Sequence, residues 1–193
     1  MILSDGEIKE ALKKHLITIE QRPSETQYNT SAVDLLLGPQ LFRLKSVEEI
    51  QQDEPAGVGL LVEVDPSTVK IGDLLQKYTV PMVKTSEGYF VLKPHTFALS
   101  TTAEYIELPK KSKIAARVEG RSTLARLGLT IHMTAPTIHC GFPGRIVLEM
   151  YNFGAYPLRL RPGMAICQLI LERLARIPKT NIKTAFVGQK NIF

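Results

Sequence analysis

The sequence predicts a mainly β fold, a barrel or jelly-roll-like arrangement led by one short N-terminal helix. Three observations carry that expectation. Past Gly88, runs rich in β-branched and aromatic residues at 89–93, 96–101, 115–119, 129–133, 145–152, 158–160 and 165–171 are separated by turn residues. No helical period alternates with these runs, which argues against β-α-β units and a parallel sheet. The chain has 193 residues, 44% of them hydrophobic, which is the usual size of one domain and enough to bury a substantial core.

The N-terminal helix is expected to begin at Ser4, because Ser4 and Glu7 form a Ser-x-x-Glu capping box and Leu3 can staple onto Ile8. Ile8, Leu12 and Leu16 then recur every four residues along one face. In 28–43, Val33, Leu35 and Leu37 alternate up to Gly38-Pro39, which reads as a strand ending in a turn there. The stretch 45–85 is broken by Pro55, Gly57, Gly59, Pro66 and Gly72, and loops with short strands are expected. The strand runs after Gly88 complete a single domain over 1–178, and the polar tail 179–193 lacks periodicity.

Composition narrows the function classes. No run of about eighteen uncharged apolar residues occurs, and the opening MILSDGEIKEALKK is acidic where a signal peptide is basic, so no membrane association and a cytoplasmic location are expected. Cys140 and Cys167 are too few for a disulfide framework and are expected as reduced thiols. The net charge of +5 points to an anionic partner. The basic residues form no stripe interleaved with aromatics, which argues against polymeric nucleic acid and leaves a phosphorylated metabolite.

Three segments can carry chemistry. Gly120-Arg121-Ser122-Thr123-Leu124-Ala125-Arg126 gathers two guanidinium forks, two hydroxyls and a glycine, the donors a phosphate cradle needs. A solvated turn with ordinary surface arginines explains the same residues equally well. In Arg145-Ile146-Val147-Leu148-Glu149-Met150-Tyr151-Asn152, strand alternation sets Ile146, Leu148 and Met150 on one face and Val147, Glu149 and Tyr151 on the other. A carboxylate among apolar neighbours suits a group that must both accept and donate a proton, although from these residues alone a structural ion pair with Arg126 or Arg145 is the slightly favoured reading. The third segment holds His132, His139 and Cys140, but no His-x-Glu and no Cys-x-x-Cys element accompanies them, so a zinc deaminase mechanism is not expected.

Together these segments resemble the dCTP deaminase family, which shares a superfamily with dUTP pyrophosphatases. MILSDGEI and SAVDLLLG resemble its N-terminal signature, FVLKPHTFALSTTAEYIELP its central strands, and VEGRSTLARLGLTIHMTA, GRIVLEMYNFG and LRPGMAICQLILERL its C-terminal blocks, over residues 1–175 with a poorly matched middle. The resemblance implies a homotrimer of distorted β-barrel subunits of the dUTPase type, with active sites between subunits. It also implies metal-independent hydrolytic deamination of dCTP to dUTP and ammonia, in the supply of dUTP and dTTP. Mg²⁺ would accompany the substrate triphosphate, no zinc would be required, and dTTP would be a candidate feedback inhibitor.

By the same resemblance Glu149 falls on the catalytic glutamate and Ser122 and Arg126 on active-site positions. Arg121 and Thr123 stand beside them as phosphate and structural contacts, while Thr134 and the backbone of Ala135 fall where the attacking water and the cytosine ring are held. His139 takes a sugar-contacting position at which the superfamily usually has aspartate, and Pro136 and Thr137 replace polar or basic residues. In the tail, Gln189 matches a residue of the nucleotide-closing lid, whereas Ala185 stands where a lysine is usual, with Lys183 or Lys190 as substitutes. The loss of that aspartate argues against the alternatives of a dUTP pyrophosphatase or a bifunctional deaminase-pyrophosphatase. The intact Glu149 and Arg126 argue against a non-catalytic nucleotide-binding regulator.

Overall fold

The computed structural model describes residues 1–53 and 64–182. The chain runs α1 (Asp5–Lys13), β1 (Thr18–Glu20), β2 (Tyr28–Asn29), β3 (Ala32–Leu44), α2 (Val47–Asp53), α3 (Ile71–Tyr78), β4 (Thr79–Pro81), β5 (Phe90–Leu92), β6 (Phe97–Thr102) and β7 (Tyr105–Glu107). It continues through β8 (Ile114–Gly120), α4 (Ser122–Ala125), β9 (Leu129–Thr130), β10 (Thr137–Ile138), β11 (Pro143–Gly144), β12 (Val147–Asn152), β13 (Leu158–Leu160) and β14 (Ala165–Arg173). The mainly β expectation holds. One antiparallel sheet has the order β10-β8-β14-β3-β6-β12-β9, with β2 and β4 also pairing with β3; β1-β7-β11 and β13-β5 form two smaller sheets. The inward residues of these sheets and of α1 share one apolar core that includes Leu3, Ile8, Val33, Leu35, Leu148 and Leu171.

α1 starts where the sequence places it. The Ser4 hydroxyl accepts from the Glu7 amide at 3.4 Å and the Glu7 carboxylate accepts from the Ser4 amide at 2.9 Å, which satisfies two donors at the helix start. Leu3 and Ile8 are both buried.

The expected turn at Gly38-Pro39 does not form. β3 continues through it, pairing with β14 over its first half and with β6 over its second, and the register shifts between Leu37 and Leu41. Pro39, which has no amide to donate, sits within that irregularity, where the ladder does not need one. Gly38 is required for a different reason: a Cβ there would lie 2.7 Å from the Thr101 carbonyl oxygen, so only glycine lets the two strands approach. This crossing joins the two halves of the sheet and brings β6 and β12 beside the first half.

The stretch 45–85 also departs from expectation, since it contains α2 and α3 rather than loops and short strands alone. α2 is capped by Ser46, whose hydroxyl accepts from the Glu49 amide at 3.3 Å while Glu49 accepts from the Ser46 amide at 2.8 Å. Residues 54–63, with Pro55, Gly57 and Gly59, lie outside the described residues. The first residues of the tail rest on their own chain: Lys110 Nζ donates to Asn181 Oδ1 at 3.0 Å. Residues 183–193, and with them Lys183, Ala185, Gln189 and Lys190, lie outside the described residues. Among the described residues no helix is long and apolar enough to cross a membrane.

Candidate active site

β12 alternates as its sequence requires. Ile146, Leu148 and Met150 are buried at 3%, 0% and 0% exposure, while Val147, Glu149 and Tyr151 are half-buried on the opposite face. Glu149 stands across from Leu99 of β6. Its amide donates to the Ile131 carbonyl at 3.1 Å, and its Oε2 accepts from the Met133 amide at 3.3 Å, so the segment after β9 fixes both its backbone and its carboxylate. Glu149 lines a cavity of about 220 Å³ with Ala135, Ile138, Phe142 and Leu99. Arg145 is the other charged residue among the lining residues, and the rest are apolar.

The competing ion-pair reading of Glu149 fails among the described residues. Arg145 Nη1 instead donates to the Thr102 carbonyl at 3.3 Å and to the Ala103 carbonyl. Arg126 is exposed and has no ion-pair partner among the described residues. Glu149 therefore lines its cavity held by a backbone amide and, among the described residues, with no fixed counter-ion.

The Gly-Arg-Ser segment forms α4, a single turn whose first carbonyl, that of Arg121, accepts from Leu124 and Ala125 at 3.0 and 2.9 Å. Arg121 itself is turned back into the protein. Its Nη2 pairs with Asp34 Oδ2 at 3.2 Å and its Nη1 donates to the Ala165 carbonyl at 3.2 Å. Asp34, 5% exposed, also accepts from Asn29 Nδ2 at 2.9 Å and Gln168 Nε2 at 3.0 Å. Ser122, Thr123 and Arg126 project from α4 and are exposed, and no hydrogen bond or ion pair among the described residues links them to Glu149. The far end of the turn is fixed where Gly128 meets Gly154 so closely that a Cβ on Gly128 would lie 2.3 Å from the Gly154 nitrogen.

Ala135 lines the Glu149 cavity and Thr134 does not, although both are exposed. His139 does not join Glu149 in one protomer. β10 alternates, sending Ile138 to the Glu149 cavity while Thr137 and His139 line a separate cavity of about 760 Å³ with Arg117, Glu172 and Asn181. Ile138 and Phe142 were not legible as site residues, because as isolated apolar side chains beside a turn they read as ordinary core. Both carboxylate oxygens of Glu104 accept from the Leu36 amide of β3, at 3.1 and 3.0 Å, two residues from Asp34. Burial pushes the Glu104 carboxyl above the ordinary carboxylate value.

A family model described as dCTP deaminase-like matches residues 2–174. A protein of Methanobrevibacter smithii named "dCTP deaminase, dUMP-forming" is 39% identical over 175 residues, covering 90% of this chain and 80% of that one. One of Rhodospirillum rubrum named "dCTP deaminase" is 37% identical over 177 residues, covering 90% and 83%. In fold the chain is similar to the crystal structure of 2'-deoxycytidine 5'-triphosphate deaminase from Agrobacterium tumefaciens, with a TM-score of 0.62 at 20% identity. That likeness covers 88% of this chain and 47% of the other, so this chain spans about half of the solved one.

Proposed function

The chain belongs to the dCTP deaminase-like family, and on that premise we propose how it works as a hydrolase of dCTP. It deaminates dCTP, a step in the supply of dUTP for dTTP synthesis. The observation that carries the mechanism is Glu149, held by the Met133 amide in an otherwise largely apolar cavity beside Ala135. C4 of cytosine is a poor electrophile, so water must be activated and the ring protonated in a site shielded from solvent. Glu149 takes a proton from water as the oxygen attacks C4 and delivers it to N3. A second transfer protonates the amino group, which leaves as ammonia while C4 keeps the oxygen as a carbonyl. The backbone at Ala135 and Thr134 orients the water and the ring.

Ser122 and Arg126 complete the site from an adjoining copy in a homotrimer. Their exposure on α4, and the lack of any hydrogen bond or ion pair to Glu149 among the described residues of one chain, support that division. Ser122 orients the base, Arg126 holds Glu149 in position, and Thr123 meets phosphate. Gln189 closes over the triphosphate. Mg²⁺ enters with the substrate as counter-charge to its phosphates, and zinc takes no part. dTTP, which shares the sugar and triphosphate, is a competing inhibitor, and the enzyme works in the cytoplasm.

The end product is dUTP. Support comes from His139, which stands where an aspartate would serve pyrophosphate release and which lines a cavity other than that of Glu149. The name of the M. smithii relative favours a second reading, in which deamination is followed by release of pyrophosphate to give dUMP. Incubation with dCTP and Mg²⁺ separates the two: dUTP with ammonia is expected, dUMP with pyrophosphate would establish the second reading, and unchanged dCTP would overturn both.

A further inference from the structure

The Glu149 cavity is bounded on one side by a helix that contributes little to the core. α3 presents Ile71 and Leu75, four residues apart and so on one helical face, to the space that Glu149, Ala135, Ile138 and Phe142 also line. None of the eight residues of α3 is buried, and Ile71 keeps 39% exposure. α1, by contrast, buries Ile8 and Ala11. The position of α3 is nonetheless fixed immediately behind Leu75. Thr79 Oγ1 donates to the Leu75 carbonyl at 2.7 Å, the Lys45 amide donates to the Tyr78 carbonyl at 2.8 Å, and β4 pairs residue for residue with the end of β3. An apolar helical face anchored to the sheet but without a core of its own has the cavity as its counterpart.

Size gives that face a task. Pockets that enclose a whole drug-sized ligand run to about 300–1,000 Å³, so a cavity of about 220 Å³ holds a base and leaves sugar and triphosphate outside. C5 of cytosine is bonded to C4, the atom attacked, so a substituent on C5 must enter the same space. Leu99 and Val147 belong to paired strands and yield little, whereas Ile71 and Leu75 stand on a helix none of whose residues is buried.

We propose that Leu75 and Ile71 are specificity-determining residues that restrict the cavity to cytosine unsubstituted at C5. This rests on the reading that the cavity takes the cytosine ring. The test compares kcat/KM for dCTP and 5-methyl-dCTP in the wild type, Leu75→Ala, Leu75→Phe and Leu74→Ala, the last altering α3 at a residue that does not line the cavity. The wild type is expected to prefer dCTP. Misfit of one methylene-sized group in a close pocket is worth about 10–200-fold, so Leu75→Ala is expected to narrow the preference at least about 10-fold and Leu75→Phe to widen it, with Leu74→Ala unchanged. A ratio of two substrates on one enzyme is insensitive to the folded fraction, so loss of stability alone cannot produce the shift. An unchanged ratio in Leu75→Ala, or an equal shift in Leu74→Ala, overturns the proposal. If the wild type does not deaminate dCTP, the functional reading fails instead, and calorimetric binding of dCTP and 5-methyl-dCTP to the wild type and Leu75→Ala decides the size restriction by the same ratio.

Discussion

Replacing Asp34 with alanine tests whether the buried network behind α4 holds in place the turn to which the proposed function assigns Ser122 and Arg126. The carboxylate is 5% exposed and accepts from three side chains, Asn29, Gln168 and Arg121, at 2.9, 3.0 and 3.2 Å. Asn29 is exposed and recovers its hydrogen bond from water, so the cost falls on Gln168 and on the guanidinium. Removing one partner of a fully buried ion pair costs about 3–5 kcal/mol, and with the Arg121 side chain 33% exposed the expected loss is discounted to about 2–3 kcal/mol. The functional loss has a separate origin. Arg121 immediately precedes Ser122, and its carbonyl anchors the α4 turn that carries Ser122 and Arg126. A misplacement of about 1 Å costs roughly 100-fold in rate, so kcat is expected to fall about 10- to 100-fold at a temperature where the variant is fully folded. Urea denaturation at one fixed protein concentration reads the stability, which holds any contribution from assembly constant, and steady-state deamination of dCTP reads kcat. A variant that loses stability but keeps wild-type kcat would refute the positioning argument.

Two further outcomes follow from the same geometry. If Glu149 and Arg126 of one site come from different copies, co-refolding inactive Glu149→Gln with inactive Arg126→Ala in equal amounts restores activity, since about one site in four then pairs an intact Glu149 with an intact Arg126; activity no higher than that of either variant alone places both residues in one chain. Burial raises the Glu104 carboxyl, so its contribution to stability is complete below the unfolded pKa and is lost as pH rises through the higher folded value. Thermal melts across roughly pH 4 to 7 are expected to show the wild type losing stability relative to Glu104→Gln as pH increases, and a constant difference would contradict the assigned cause.

What the sequence makes legible here is what local patterning determines. β12, β13 and β14 were readable because alternation and turn residues specify a strand without reference to its partners, and the Ser4–Glu7 box specified the start of α1. Gly38-Pro39 misled because both residues ordinarily mark a turn. Their reason lies across the sheet, in the nearness of the Thr101 carbonyl to Gly38. α2 carried a readable signal, the Ser46 and Glu49 cap, which the breakers that follow it outweighed. The two-residue strands β10 and β11 are too short for any period to register. In the site, alternation alone placed Glu149, whereas the contributions of Phe142, Ile138 and the α3 residues depend on contacts between segments far apart in the chain.

The two halves of the proposed chemistry are stabilised in different ways, and this bears on what each can do. Glu149 stands in the middle of a strand paired on both sides of its sheet neighbourhood, with its carboxylate on a backbone amide, so its position costs no reorganisation when a base enters. Ser122 and Arg126 project from one exposed turn whose orientation depends on Arg121 and, through it, on Asp34. Among the described residues Arg126 has no ion-pair partner and Glu149 no counter-ion, so a guanidinium on such a turn is placed to meet a carboxylate from another copy. On the proposed reading, each chain would supply Glu149 at one place and Arg126 at another, the two members of a charge pair between copies. Assembly would then create the active site by joining unlike halves, so a dissociated protomer would retain its fold while losing turnover.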